Sequence, residues 1–286
     1  PKTSTWDGGT KRKVRQGSFE ALGLSSDIVK GLTHAGYRFP TPVQRKVIPP
    51  VLSGNDVVAM ARTGSGKTAA FLAPMAVRVA AAAATDLRAG GRTVRGLRGL
   101  VIVPTRELGL QTFLFFKTYA KFTSLSACLL TGGESIEAQF AALATNPEVA
   151  VATPGRLLQV LDEVKALTLK RLVCCVLDEA DRLFEGTLAA EVKDVLRRLG
   201  AGSEAPAAAP RARQMVLLSA TMPKALADFA AAGLSPGYAV VRLDAERFLS
   251  PTLWAGFYYC SAGDKIPSLV YLLRHVVRGD PGPGWR

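Results

Sequence analysis

The chain has 286 residues, 48% of them hydrophobic, and 36 Lys and Arg against 23 Asp and Glu give it a net charge of +13. That length holds one large domain or two small ones with a substantial core. No apolar run approaches the ~20 residues that span a bilayer, the Ala-rich stretch from Val79 to Ala84 is too short, and Lys11-Arg12-Lys13 leads into polar residues rather than a signal-peptide core.

The basic surplus favours a polyanionic partner, of which nucleic acid is the commonest; a protein partner for a basic chain is the plainer rival. The four cysteines, Cys128, Cys174, Cys175 and Cys260, form no Cys-x-x-Cys pair. They read as buried reduced thiols of an intracellular protein rather than a disulfide framework or zinc site. His34 and His275 sit near no other potential metal ligand in the sequence and read as ordinary helix or surface residues. The chain starts at Pro1 without Met and ends at Trp285-Arg286, and reads as a piece of a longer protein.

In chain order, residues 1–17 are polar and basic and predict a disordered tail. A helix follows at about Ser25 to Ala35, with Ser25 or Ser26 as N-cap and Gly36 closing it. Pro40 and Pro42 mark an extended turn, and a second helix starts near Pro42 with Gln44 in its first turn. The polar turn Ser53-Gly54-Asn55 precedes a short buried strand, Asp56 to Met60.

Next comes Ala61-Arg62-Thr63-Gly64-Ser65-Gly66-Lys67-Thr68, and then a helix from Ala69 to Val79. Strand, Gly-rich turn, Gly-Lys-Thr and helix make the context of a phosphate-binding loop. Glycines let backbone N–H groups turn around phosphate oxygens, and the helix N-terminus adds partial positive charge. Lys67 reaches the β- and γ-phosphates, and the Thr68 hydroxyl ligates Mg²⁺. The usual pattern opens with Gly, and here that place is Ala61.

Residues 81–99 mix Ala, Gly and Arg without an apolar period and predict a flexible insertion. Strands are expected at Leu100 to Val103, Ala127 to Leu130, Val149 to Ala152, Leu172 to Leu177, Gln214 to Leu218 and Tyr238 to Leu243. Helices are expected at about Arg106 to Tyr119, Ser135 to Ala144, after Arg156, over 188–199, and at Pro223 to Ala231. A second low-complexity break covers 200–212. Strands alternate with helices and read as continuous apolar runs, which predicts an α/β fold with a parallel sheet covered on both faces. From Leu249 the pattern changes: Phe257 to Cys260 reads as a strand and Ile266 to Val277 as a helix, the opening of a second, incomplete domain at 249–286.

The strand ending in Leu177 delivers Asp178 and Glu179 at its C-terminal end, where parallel sheets bind ligands. Asp178 is suited to hold Mg²⁺, partly through water, and Glu179 to orient or deprotonate an attacking water.

With Ala180 and Asp181 the tetrapeptide reads Asp-Glu-Ala-Asp. The chain here resembles the DEAD-box RNA helicases, in their first RecA-like domain, over about Ser18 to Leu243. The resemblance implies a P-loop NTPase of RecA-like fold at 18–248 that uses ATP and Mg²⁺ to unwind RNA. Phe19 with Gly36 to Gln44 resembles the Q motif over 18–46, which makes Arg38, Thr41 and Gln44 nucleotide contacts. By that resemblance Gln44 reads the adenine edge through its amide, which both donates and accepts, and Phe19 stacks on the base. Pro104-Thr105-Arg106-Glu107, Gly132-Gly133 after Thr131, and Thr153-Pro154-Gly155-Arg156 are similar to the family's RNA-contacting motifs. Such groups touch sugar and phosphate, which gives little sequence preference. Ser219-Ala220-Thr221 matches the motif that couples ATP chemistry to strand opening, with Asp181 as its partner. Residues 57–68 and 178–185, Phe184 and Glu185 above all, resemble the nucleolar branch that assembles the large ribosomal subunit. That implies a monomer in the nucleus and nucleolus with ribosome-assembly proteins as partners. In the family a second RecA-like domain supplies arginines worth ~10³–10⁵ in rate. No part of the chain after Leu243 matches its motifs, so weak nucleotide binding and little RNA-stimulated hydrolysis are expected of this chain alone.

Two rivals share the phosphate loop. A small GTPase needs an Asn/Thr-Lys-x-Asp motif, which is absent, and an Arg-rich kinase lid is not evident either. The other rival is a non-catalytic RNA- or nucleotide-binding fragment.

Overall fold

The computed structural model describes residues 17–88, 96–165, 167–199, 213–243 and 257–276. The chain divides after Glu246 into two units. In the first, seven strands form one sheet: β1 (Val57–Met60), β2 (Gly99–Ile102), β3 (Ala127–Leu130), β4 (Val149–Ala152), β5 (Cys174–Leu177), β6 (Gln214–Ser219) and β7 (Ala239–Arg242). Their order is β3-β4-β2-β5-β6-β1-β7, and every pairing is parallel. The central strands β1, β2, β4, β5 and β6 are buried at every residue, whereas the edge strands β3 and β7 are buried only in part. Hence the central strands read in sequence as unbroken apolar runs.

Successive side chains leave opposite faces of a strand, and two cores result. Val57, Ala59, Val101, Cys174, Val176, Val216 and Leu218 pack on one side with helices α1 (Ser26–His34), α2 (Pro42–Leu52), α3 (Lys67–Arg88) and α4 (Arg106–Tyr119). On the other side, Val58, Leu100, Ile102, Cys175, Leu177, Met215 and Leu217 pack with α5 (Ile136–Ala144), α6 (Pro154–Glu163), α7 (Ala180–Leu183), α8 (Leu188–Arg198) and α9 (Lys224–Gly233). Cys174 and Cys175 therefore lie in different cores. Burial pushes the Cys128 and Cys175 thiols up to about 12, and all four cysteines are free.

Asp56 fixes the start of β1. Its carboxylate accepts from Met215 N at the head of β6 and from Ser235 N before β7, both at 2.7 Å.

Three expectations change. Residues 81–88 are not an insertion but the end of α3. Alanine has the highest helix propensity, and a poly-Ala run has no apolar period because all its faces are alike. Of the rest of that proposed insertion, 89–95 lies outside the described residues, as do 200–212 and the tail 1–16, whereas Leu97 and Arg98 are buried and Gly99 opens β2. Over Lys67–Thr85 α3 is long and apolar enough to cross a membrane by composition, yet residues 69–76 are buried in the core. Finally, Phe257 to Cys260 is not a strand. Among the described residues of the second unit there is no other extended segment to pair with, and an unpaired strand leaves its ladder unsatisfied. The helix expected after it is present as α10 (Lys265–Tyr271), continued by a π-turn over Leu272–Val276. Three short elements went unforeseen: α7, and 3₁₀ turns at Glu20–Leu22 and Ala262–Asp264.

α1 packs closely on α4. A Cβ at Gly31 would overlap the Tyr119 carbonyl, so this approach requires glycine. Nearby, the Tyr37 and Tyr119 hydroxyls meet at 3.0 Å. Gly31→Ala should gain about 1 kcal/mol in helix propensity and lose more through the backbone clash. We expect denaturant unfolding to show a net loss of about 2 kcal/mol; a net gain would mean the two helices are not held this closely.

Candidate active site and nucleic-acid edge

Because the sheet is parallel, the residues after each strand gather on one edge. Those after β5, β6 and β1, three adjacent strands, are the Asp178–Asp181 segment, Ser219–Thr221 and the phosphate loop. Those after β3, β4 and β2, the other adjacent set, are Gly132–Gly133, Thr153–Arg156 and Pro104–Glu107.

In the phosphate loop Gly64 and Gly66 hold left-handed φ of +75° and +93°, which L side chains rarely adopt. Ala61 keeps a negative φ and buries its methyl in the core, so glycine is not needed there. Its N–H donates to Ser219 O at 3.2 Å, tying the loop to β6. Arg62 is half-buried and Thr63 exposed. The Ser65 hydroxyl donates to Arg62 O at 2.7 Å. Lys67 is 7% exposed, and its Nζ donates to Ala61 O at 2.7 Å. The Thr68 hydroxyl makes no hydrogen bond among the described residues.

Gln44 is fully buried, not a helix-surface residue. Its Oε1 accepts from Thr41 N at 2.8 Å and its Nε2 donates to Gly66 O at 3.1 Å. A Cβ at Gly66 would come within 2.6 Å of Gln44 Nε2, so the second glycine allows this contact. Thr41 Oγ1 is buried beside the loop without a partner. Phe19 is 2% exposed and packs in the core. Arg38 is exposed and makes no hydrogen bond among the described residues. The aromatic rings with open area near Gln44 in sequence are Tyr37, half-buried, and Phe39, 58% exposed.

At the end of β5, Asp178 is 7% exposed. Burial pushes its carboxyl up to about 6; the Lys67 ammonium pulls it back, and Glu179 and Asp181 push it further. That electrostatic contact puts Lys67 and Asp178 on the same edge. Glu179 sits at φ +52°, ψ +48°, a left-handed conformation that costs a non-glycine residue about 1–2 kcal/mol and recurs at functional sites. Its N–H donates to Asp178 Oδ1 at 3.0 Å.

Asp181 Oδ2 accepts from Thr221 Oγ1 at 2.8 Å and from Thr221 N at 3.1 Å, and Asp181 N donates to Ser219 Oγ at 3.3 Å. Burial raises the Asp181 carboxyl, but the Thr221, Arg182 and Ser219 hydrogen bonds outweigh it and leave the group below the usual carboxylate range. Ala180, fully buried, and Ala220 are spacers in this network. Phe184 packs against Phe229, with ring centroids 5.2 Å apart.

On the other half of the edge, Thr105 caps α4 by accepting from Leu108 N at 3.3 Å. Pro104 is half-buried, and Thr105, Arg106 and Glu107 are exposed. Arg106 Nη1 donates to Gly133 O at 3.3 Å, and its Nη2 pairs with Glu134 Oε1. Arg156 Nη1 donates to Glu134 O at 3.4 Å. No heavy atom lies within 4 Å of where a Gly132 side chain would begin, whereas at Gly155 the Glu191 carboxylate stands 3.1 Å away. Thr153 is half-buried and Pro154 buried at the start of α6. Sequence reasoning missed Glu134, Tyr37 and Tyr119; a carboxylate directly after the Gly pair was the available signal for the first.

A protein-family model for the DEAD/DEAH box helicases matches residues 41–229. The DEAD-box ATP-dependent RNA helicase 29 of Oryza sativa subsp. indica is 43% identical over 96% of this chain and 30% of its own length. The ATP-dependent RNA helicase DDX54 of Mus musculus is 45% identical over 94% of this chain and 28% of its own. The chain belongs to the DEAD/DEAH box helicase family. It spans under a third of these helicase relatives. The ATP-dependent RNA helicase DBP10 of Phaeosphaeria nodorum is 42% identical over 94% of the chain. The structure of S. cerevisiae Dbp5 bound to RNA and ADP BeF3 superposes with a TM-score of 0.62, at 27% identity over 79% of this chain and 52% of that one. The seven-stranded parallel sheet is thus the RecA-like sheet of a helicase. The matched span takes in Thr41, Gln44 and every motif from the phosphate loop to Thr221, and begins after Phe19 and Arg38.

A carboxyl whose folded value exceeds its unfolded one loses stability as pH rises between them. For Asp178 the window runs from the ordinary 3.8 to about 6. Asp178→Asn should therefore stabilise the ligand-free chain by about 1–3 kcal/mol at pH 7.5, the attraction to Lys67 being already part of that net shift. Thermal melts should show the gain shrinking towards pH 4.5. Equal melting of both proteins at pH 7.5 would contradict the burial of this charge.

Proposed function

We propose that this chain is the nucleotide-binding part of an ATP-dependent RNA helicase, with 18–248 as its RecA-like domain and 249–286 as the opening of a second one. The observation that carries the reading is the grouping of the phosphate loop, Asp178–Asp181 and Ser219–Thr221 on three adjacent strands, beside a second set suited to a polyphosphate backbone. The names of the relatives, and a structural neighbour bound to RNA and ADP BeF3, support it.

Loop N–H groups and Lys67 hold the triphosphate, which displaces the Ala61 carbonyl from the ammonium. The unpartnered Thr41 hydroxyl and the Gln44 amide lie where a nucleotide can satisfy or exchange their bonds. Base stacking falls to Tyr37 or Phe39, whose rings have open area, rather than to Phe19. Thr68 and Asp178 are hard oxygen donors suited to Mg²⁺, Asp178 partly through water, and the cation would offset phosphate charge. Among the described residues no group of three or more His, Cys, Asp or Glu could form a cage, and Mg²⁺ that keeps its waters and phosphate ligands needs none. Glu179 orients the attacking water, and Asp181 with Ser219 and Thr221 couples hydrolysis to RNA. Arg106, Arg156, Gly132, Gly133 and the α4 and α6 N-termini face the RNA backbone.

The likeness of 57–68 and 178–185 to nucleolar helicases supports a role in large-subunit assembly in the nucleolus, with ribosome-assembly proteins as partners and the helicase itself a monomer. Arginines from the second domain contribute ~10³–10⁵ in rate, so this chain alone should turn over slowly.

With fluorescent nucleotides and Mg²⁺, the chain should prefer adenine to guanine nucleotides, and Lys67→Ala should weaken binding at least tenfold. Glu179→Gln should leave binding intact and remove RNA-stimulated turnover in the full-length parent. Equal guanine binding, or turnover that survives Glu179→Gln, would refute the assignment. RNA duplex unwinding by the isolated chain would refute its dependence on the second domain.

A further inference from the structure

Arg106 is about half exposed, and its guanidinium has two acceptors in reach. One is Gly133 O at 3.3 Å; the other is the Glu134 carboxylate, itself about half exposed. Gly133 holds a left-handed φ of +80°, and any side chain there would run into Arg106 Nη1. The loop is therefore shaped to let the guanidinium cross it and reach Glu134. That loop is anchored from below: Gln139, buried, donates to Thr131 O at 2.9 Å. Arg156 of α6 reaches the same residue, donating to Glu134 O at 3.4 Å. Both arginines assigned above to the RNA backbone thus converge on Glu134, and the carboxylate meets one of them through Oε1, an anionic oxygen of the kind a phosphate also presents.

We propose that Glu134 is a phosphate surrogate: its carboxylate occupies Arg106 in the RNA-free protein, orders the guanidinium towards the strand path, and must be displaced when an RNA phosphate arrives. This rests on the RNA edge proposed above and adds a residue that sets its affinity. An exposed ion pair of this kind shifts an equilibrium by no more than about fivefold, so the carboxylate is displaceable rather than a lock. Displacement exchanges one anion for another on the same guanidinium, so Arg106 adds less counterion release than a free arginine would. Removing the carboxylate restores it.

The test is single-stranded RNA binding by the 286-residue chain, read by anisotropy between 50 and 200 mM salt. Glu134→Gln should tighten binding about threefold to fivefold at 50 mM salt and steepen the slope of log K against log salt by about 0.7. Glu163→Gln, at the far end of α6, is the control for a lost negative charge and should do neither. Arg106→Ala should weaken binding, and in that background Glu134→Gln should have no effect. If Arg106→Ala weakens binding but Glu134→Gln brings no gain, or brings the same gain without Arg106, the surrogate role is overturned while the RNA edge stands. If neither substitution changes binding, or no protein binds RNA at 50 mM salt, the edge assignment itself falls.

Discussion

The parallel register of the sheet is the constraint on which the rest depends. In an all-parallel sheet every strand ends on the same side, so seven loops share one edge and the opposite edge is left to connections. Strand order then decides neighbours. β6 lies between β1 and β5, so the ammonium of Lys67 and the carboxyl of Asp178 share one electrostatic environment although about 110 residues separate them in the chain. β2 lies beside β5, so the arginine-bearing α4 starts next to the acidic segment. The proposed chemistry on one half of the edge and the proposed backbone binding on the other meet across a single pair of hydrogen-bonded strands.

Within that edge the ligand-free site satisfies itself, the buried Thr41 hydroxyl apart. Lys67 holds a carbonyl of its own loop, Gln44 divides its amide between Thr41 and Gly66, and Arg106 holds Glu134. A buried polar group without a partner costs 1–3 kcal/mol, so a folded site empty of ligand finds internal acceptors. Binding then becomes an exchange of partners, and the net affinity is a difference between similar bonds. Asp178 and Glu179 are the exceptions. One is a carboxyl pushed upward by burial, the other a backbone in a left-handed conformation. Both store free energy at the place where a cation and a water are expected.

The remaining chemistry-bearing residues are packing. Cys174 and Cys175 alternate into separate cores as strand geometry requires, and Cys128 sits in β3 with its thiol pushed far from reactivity. Phe184, which carries part of the resemblance to one branch of the family, packs on Phe229 rather than on a ligand.

Much of this was legible in the residues themselves. Glycine at 64 and 66 followed by Lys67 and Thr68 specifies a phosphate loop because backbone freedom and a cation are local properties. The strands announced themselves because doubly covered strands are apolar at every position. What failed did so where the signal was not local. The alanines at 81–84 gave no period and are helix, Phe257 to Cys260 had strand residues but no strand to pair with among the described residues of its unit, and Phe19 looked like a base platform until the core closed over it. The sequence by itself determined which segments could bind phosphate, carry a carboxylate or cap a helix, since those depend on a few adjacent residues. Only the tertiary structure decided that Lys67 and Asp178 share one edge, that Gln44 reaches the loop, and that two arginines meet at Glu134, because strand order and helix packing are set by contacts between residues far apart in the chain.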